Sequence, residues 1–353
     1  MALGFSGSNG GISKDQDNAS LNRLDLLNRP MEISYFVNNV CNLSCSHCYV
    51  GYEEPKNSLS VEEWKGVFDG CLDLGALTFG NVGKEPLLSW SKTKALLDFF
   101  ALKRKQNPRI RFGLVTNAIL FDDKKIEELA ESSPTYMDIS LDGTEEVHDS
   151  IRGKGNYQAT LGNIRKISER FPELAEKIFI SYTLMQPNKD IGIIKGLIDE
   201  IRASGVRNIL ISPYVKSING RGTLGITNQE VVEAYKKLIE VGNEFVRKDG
   251  QLLLKSDYET QKPLIDLLVK EGVIDLSRLL IDDYGTIFNR YENVFVNYIP
   301  LPETMTRAIR FSHDGFVGGC YDMFFTDYQS RARGNVRTTN LKDILKESNP
   351  LQN

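Results

Sequence analysis

Between residues 31 and 215, short apolar runs alternate with longer stretches whose apolar side chains recur every three or four positions. The runs "EISYFVN" (32–38), "ALTFG" (76–80), "IRFGLVT" (110–116), "YMDISL" (136–141), "IFISYTL" (178–184) and "NILISPY" (208–214) read as buried strands. The stretches 60–75, 91–105, 123–132, 158–170 and 190–204 have helical spacing. The first of these carries its own punctuation, with Ser60 as N-cap, Glu63 in the capping-box position and Gly75 past the end. Such alternation predicts a parallel sheet closed or partly closed into a barrel, because right-handed crossovers put every helix outside. Active sites of such barrels gather where the strands end, so the residues following each strand carry the chemistry. Past a Gly-rich bend, "SINGRGTLG" (217–225), the alternation fades into two helical stretches and a β-rich tail. The expected organisation is a flexible arm over 1–30, a barrel over 31–225 and a substrate-covering region over 226–353.

Composition narrows the partners. At 353 residues, 41% hydrophobic and 25% charged, the chain is long enough for a large core and has an ordinary globular balance. A net charge of -4 gives no general attraction to phosphate backbones, which argues against nucleic acid as the main partner. No run approaches the roughly 18 apolar residues of a membrane span. The first 30 residues lack the layout of a secretory signal, so the expected location is the reducing cytoplasm. Five cysteines are an odd number and too sparse for a disulfide scaffold.

Three of the five, Cys41, Cys45 and Cys48, lie on the loop after the first strand in the pattern C-x3-C-x2-C. A structural zinc site wants four ligands, usually in two pairs, and no second pair is present. His47 could serve as a fourth ligand only if a single tight loop wrapped the ion. Three thiolates on one loop suit a [4Fe-4S] cluster better, with the fourth iron open to a non-protein ligand. Zinc remains the minor alternative.

This stretch resembles the signature of the radical S-adenosylmethionine (SAM) superfamily, C-x3-C-x-Φ-C with Φ aromatic, through Cys41, Cys45, His47 and Cys48, followed by Tyr49. The resemblance implies a partial (β/α)6 TIM barrel, and SAM chelated to the open iron and cleaved by one electron to a 5′-deoxyadenosyl radical. It also implies a flavodoxin- or ferredoxin-type electron donor. The family's Gly-Gly-Glu-Pro segment, whose backbone binds the SAM amino group, corresponds to Gly83, Lys84, Glu85 and Pro86, with lysine in place of the second glycine. Asn117, in "LVTNA", is similar to a Thr-Asn-Gly segment of relatives. "ISLDGTEEVHDSIRGKGNY" (139–157) resembles the ribose and carboxylate contact region of the subgroup that includes sulfatase-maturing and peptide-modifying enzymes. On that likeness Ser140 and Asp142 lie near the nucleoside, Arg152 holds the SAM carboxylate, and Ser181 and Ser212 border SAM. His148 is read as a brace for this loop. Tyr49 is assigned to the cofactor site by the same likeness.

The tail "HDGFVGGCYDMFFTDYQSRARGNVRTTNLKDILKES" (313–348) is similar to the C-terminal α+β SPASM/twitch-like extension of that subgroup, with the pair Gly334 and Asn335 and a closing helix. Of its cluster-binding cysteines only Cys320 is present, so the resemblance implies one cluster and a cluster-free lid. Without an auxiliary electron acceptor a redox-neutral outcome is expected, and epimerisation is the leading one. Cys320 is the candidate hydrogen donor or else a leftover buried cysteine, with Tyr321 and Tyr291 as alternative donors. Asp282, Asp283 and Asp314 are candidate substrate contacts. The short N-terminal arm favours a small molecule such as a sugar or aminocyclitol over a peptide. The alternatives are a peptide-modifying enzyme, a dehydrogenating, eliminating or bond-forming radical enzyme, and a non-catalytic Fe-S module.

Overall fold

The computed structural model describes residues 31–48, 50, 57–215, 224–245, 250–255, 258–284, 286–298, 308–319 and 327–346. The barrel half runs β1 (Met31–Tyr35), α1 (Val61–Asp73), β2 (Ala76–Asn81), α2 (Trp90–Gln106), β3 (Arg111–Thr116), α3 (Asp123–Ser132) and β4 (Tyr136–Ser140). It continues with α4 (Glu145–Arg152), α5 (Asn156–Arg170), β5 (Ile178–Leu184), α6 (Ile191–Ala203) and β6 (Asn208–Pro213). All six expected strands and five expected helices are present. The helix α4 is an addition, because that stretch reads in sequence as a loop.

After residue 225 come α7 (Asn228–Phe245), β7 (Gln251–Leu254), α8 (Tyr258–Lys270), β8 (Leu280–Ile281), β9 (Ile287–Tyr291) and β10 (Val294–Asn297). The chain closes with β11 (Ala308–Phe311), β12 (Phe316–Gly318), α9 (Tyr328–Arg331), β13 (Gly334–Asn335) and α10 (Leu341–Lys346). These late strands do not form a sheet of their own. The order β13-β12-β11-β1-β2-β3-β4-β5-β6-β7-β10-β9-β8 is one sheet, parallel from β11 through β1 to β7 and β10, with antiparallel strands only at the two ends. The partial barrel is therefore extended on both sides, and the boundary expected at 225 falls inside the sheet rather than at its edge.

Strand alternation divides the side chains between two faces. Ile33, Tyr35, Phe79 and Leu114 join Trp64, Phe68 and Phe100 in the main core beneath the helices. Tyr35 meets Phe68 at 4.8 Å and Trp64 at 5.3 Å between ring centroids, which ties β1 to α1. The alternate positions turn inward, where Phe179, Leu210, Leu253, Phe288 and Phe295 form a second apolar cluster. The capping box of α1 is present as expected: Glu63 N donates to Ser60 Oγ and Ser60 N donates to the Glu63 carboxylate. Arg337 Nε also donates to Glu63 (2.7 Å), so the closing segment fastens the start of α1. Among the described residues, no helix is long and apolar enough to cross a membrane.

Candidate active site

The cysteine loop leaves β1 and is pinned to the segments that follow β2 and β3 and to the helix α4. Its first turn is held by β2: Asn38 Nδ2 donates to Glu85 O (2.9 Å), and Glu85 N donates to Val40 O (3.0 Å). Its middle is held by β3, where Asn117 Nδ2 donates to Asn42 Oδ1 (2.9 Å). Its last part is held by α4, since Ser46 gives both its main-chain N–H (3.0 Å) and its hydroxyl (3.1 Å) to Ile151 O. Asn38 and Asn42 have no signal in the sequence beyond lying beside the cysteines.

Cys41, Cys45 and Cys48 are free and half-buried. Burial pushes Cys41 up to about 11 and also raises Cys45, with the neighbouring cysteines adding to both effects. The three thiols do not converge on a common point, and among the described residues no set of three His, Cys, Asp or Glu side chains is arranged to hold a metal ion. The chemistry of the donor set still fits an iron-sulfur cluster: three unpaired thiols on one clamped loop, costly to ionise alone and stabilised as thiolates by metal. Cys71, by contrast, is fully buried in α1 within the core, which leaves it no ligand role.

The segment after β2 makes a sharp bend. Gly83 has φ +77° and Lys84 φ +50°, both in the left-handed region. Glycine is required at the first, where a Cβ would lie 1.7 Å from Phe36 Cε1. Lys84 holds the conformation a second glycine would adopt freely, so the departure from the family pattern keeps the backbone path and strains it instead. Glu85 is fully buried and its carboxylate points into the protein, accepting from Leu87 N, Thr116 Oγ1 and Asn117 N. Burial raises it to about 7 despite those three donors. Its side chain joins β2 to β3 rather than reaching a ligand. Pro86 opens a single 3-10 turn leading into α2.

Strands β4 to β6 bring their polar residues into line. Ser140 pairs with Ser181, and Thr183 with Ser212, so the three serines expected at the cofactor lie on adjacent strands, Ser140 and Ser212 at the C-terminal ends of β4 and β6 and Ser181 in the middle of β5. Asp142 is fully buried and its carboxylate is spent on the protein: Oδ1 accepts from Thr183 N (2.8 Å) and Oδ2 from Arg152 Nε (2.6 Å). Arg152, at the end of α4, turns its other nitrogens to the cysteine loop, with Nη2 3.3 Å from His47 Nε2 and Nη1 4.0 Å from Cys45 Sγ. Burial, reinforced by Arg152, lowers His47 to about 4. A neutral His47 accepting on Nε2 carries its proton on Nδ1, which is buried and unpaired. His148 braces the β4 loop as expected, its Nδ1 accepting from Asp142 N (3.2 Å).

Several candidates lie elsewhere. Tyr291, the last residue of β9, pairs with Val294 at the start of β10, the end of the sheet away from the cysteine loop, and donates its hydroxyl to Val273 O (3.0 Å). Asp282 accepts from Tyr284 N and Thr286 N, forming its own turn. That turn packs on the N-terminal end of β3: Arg109 Nη2 donates to Asp283 O (3.3 Å), and the Arg111 guanidinium sits 4.5 Å from the Tyr284 ring. Asp282 thus closes its own turn, and both aspartates lie at the N-terminal end of β3, away from the mouth. Asp314 is at the correct end but buried, accepting from Ser312 Oγ, Tyr328 OH and Gln329 Nε2. Tyr49, Cys320 and Tyr321 lie outside the described residues.

Comparison with known proteins bears on this geometry. The profile of the Radical SAM superfamily matches residues 35–195. Fe-coproporphyrin III synthase of Methanosarcina barkeri is 29% identical over 212 residues, covering 59% of this chain and 49% of that protein. The antilisterial bacteriocin subtilosin biosynthesis protein AlbA of Bacillus subtilis is 24% identical over 315 residues, covering 83% of this chain and 67% of that protein. The chain thus spans about half the length of the first and two thirds of the second. In fold it is similar to Streptococcus suis SuiB, solved with the precursor peptide SuiA, at a TM-score of 0.67, 14% identity, and coverage of 92% of this chain and 66% of that one.

Proposed function

Since residues 35–195 form a radical SAM domain, we propose that the protein is a radical SAM enzyme acting on a peptide. A [4Fe-4S] cluster held by Cys41, Cys45 and Cys48 would, when bound with SAM, supply the electron and the carbon radical that takes hydrogen from substrate. The chain's own residues prepare the place. Asn38, Asn117 and Ile151 hold the loop still, Gly83 and Lys84 shape the backbone beside it, and Ser140, Ser181 and Ser212 line the adjoining wall with hydroxyls. The single observation that carries this reading is the loop of three free thiols clamped at the strand ends.

For the substrate, similarity to AlbA runs over 83% of the chain and so reaches the region that follows the barrel, whereas that to the coproporphyrin enzyme covers 59%. This replaces the sugar or aminocyclitol reading, which rested on a short N-terminal arm outside the described residues. Epimerisation has no support among these relatives, named for biosynthesis and synthase activities, and its candidate donor Cys320 is likewise outside.

The test is anaerobic reconstitution, reduction with dithionite and assay of 5′-deoxyadenosine with SAM in the presence of a random synthetic peptide library or of coproporphyrin III. Formation of 5′-deoxyadenosine that increases with peptides and not with the porphyrin supports the proposal. No 5′-deoxyadenosine from a cluster-loaded protein rejects the enzyme reading, and stimulation by the porphyrin alone rejects the peptide.

A further inference from the structure

Arg152 is fixed more firmly than a ligand-binding arginine needs to be. Its Nε side is closed by Asp142 at 2.6 Å, and Asp142 is itself locked by Thr183 N and fully buried. The two remaining nitrogens face the cysteine loop, one on His47 and one 4.0 Å from Cys45 Sγ. The ion pair is thus a buried dipole whose positive end rests on a thiol assigned to the cluster. The guanidinium is charged in any protein environment, and the Asp142 bond fixes where that charge sits. Asp142 also acts on Cys45, in the opposite sense to Arg152 and more weakly, and Glu85 acts on Cys41.

We propose that Arg152 is a positioning residue that holds a positive charge against the Cys45 thiolate and thereby raises the reduction potential of the cluster on that loop. The inference rests on the radical SAM reading. A cluster gains negative charge on reduction, and a fixed cation in a poorly solvated site stabilises that state over the oxidised one. Asp142 gives the effect its geometry, because a free arginine in this loop would turn its charge to solvent. The role differs from holding the SAM carboxylate, which needs the Nη fork to face outward.

The experiment compares reconstituted wild type with Arg152→Lys, Arg152→Gln and Arg152→Met, measuring iron and sulfide content and then the EPR signal of the reduced cluster against poised potential, without SAM. At the wild-type midpoint the reduced-to-oxidised ratio is expected to fall about tenfold in the Gln and Met variants, equivalent to 59 mV for one electron. Arg152→Lys, which keeps the charge, should lie between them and wild type. Should one neutral variant fail to load, the other supports the comparison. Equal midpoints in all loaded proteins overturn the proposal while leaving the radical SAM reading intact. A wild type that takes up no iron-sulfur cluster overturns both.

Discussion

Asn117 Nδ2 donates to Asn42 Oδ1 at 2.9 Å, joining the end of β3 to the middle of the cysteine loop. The same residue gives its main-chain N–H to Glu85 and receives Thr160 Oγ1 on its carbonyl, so β2, β3, α5 and the loop meet there. Asn117→Ala removes the link to Asn42 together with the Oδ1 that accepts from Ile119 N (3.1 Å) and leaves the main-chain bonds in place. It should lower stability by about 1 kcal/mol and hasten the loss of iron to a chelator severalfold. Unchanged chelation kinetics would show that the loop does not depend on β3.

Glu85 makes stability depend on pH. Its pKa is raised from 4.5 to about 7 in the folded protein, so between those values the folded state binds the extra proton. Stability from this group is therefore greatest below about 4.5 and is lost as pH rises through about 7, amounting to roughly 3 kcal/mol. Thermal melts of wild type and Glu85→Gln should show the wild type losing ground between pH 5 and pH 8 relative to the variant. The variant should also be less stable at every pH, having one acceptor too few for its three donors.

The bend after β2 separates two glycine effects. Lys84→Gly relieves a φ of +50° and should stabilise by up to about 1 kcal/mol. Gly83→Ala introduces a Cβ into the Phe36 ring and should destabilise by more than that. Chemical denaturation of the two variants measures both, and equal effects of the same sign would contradict the geometry.

Asp314 distinguishes bracing from substrate contact. Asp314→Ala removes the carboxylate that accepts from Ser312, Tyr328 and Gln329 and should lower stability by about 2 kcal/mol. A variant with the wild-type melting temperature and a raised KM would instead restore Asp314 as a substrate ligand.

The barrel was legible because its signals are local. The periodicity of "IFISYTL" locates β5 to the residue, and the helix at 123–132 is likewise as read. The helix α4 was hidden by its polar start, although Thr144, Glu145 and Glu146 followed by Val147 and Ile151 are a start signal with helical spacing. It is this helix that brings Arg152 back to Cys45. The pairing of β11 with β1 joins residues about 276 positions apart, as Glu32 to Ala308, and no local pattern encodes it. The charge of Asp282 in the sequence does not separate a carboxylate that binds a hydroxyl from one that closes its own turn, as this one does.

The account stands most directly on the iron content of the cysteine loop. Anaerobically reconstituted wild type should bind about four iron and four sulfide per chain, show the absorption and EPR of a reducible [4Fe-4S] cluster, and lose both in each of Cys41→Ala, Cys45→Ala and Cys48→Ala while Cys71→Ala retains them. Zinc in place of iron, or a cluster that survives removal of these three thiols, would contradict it.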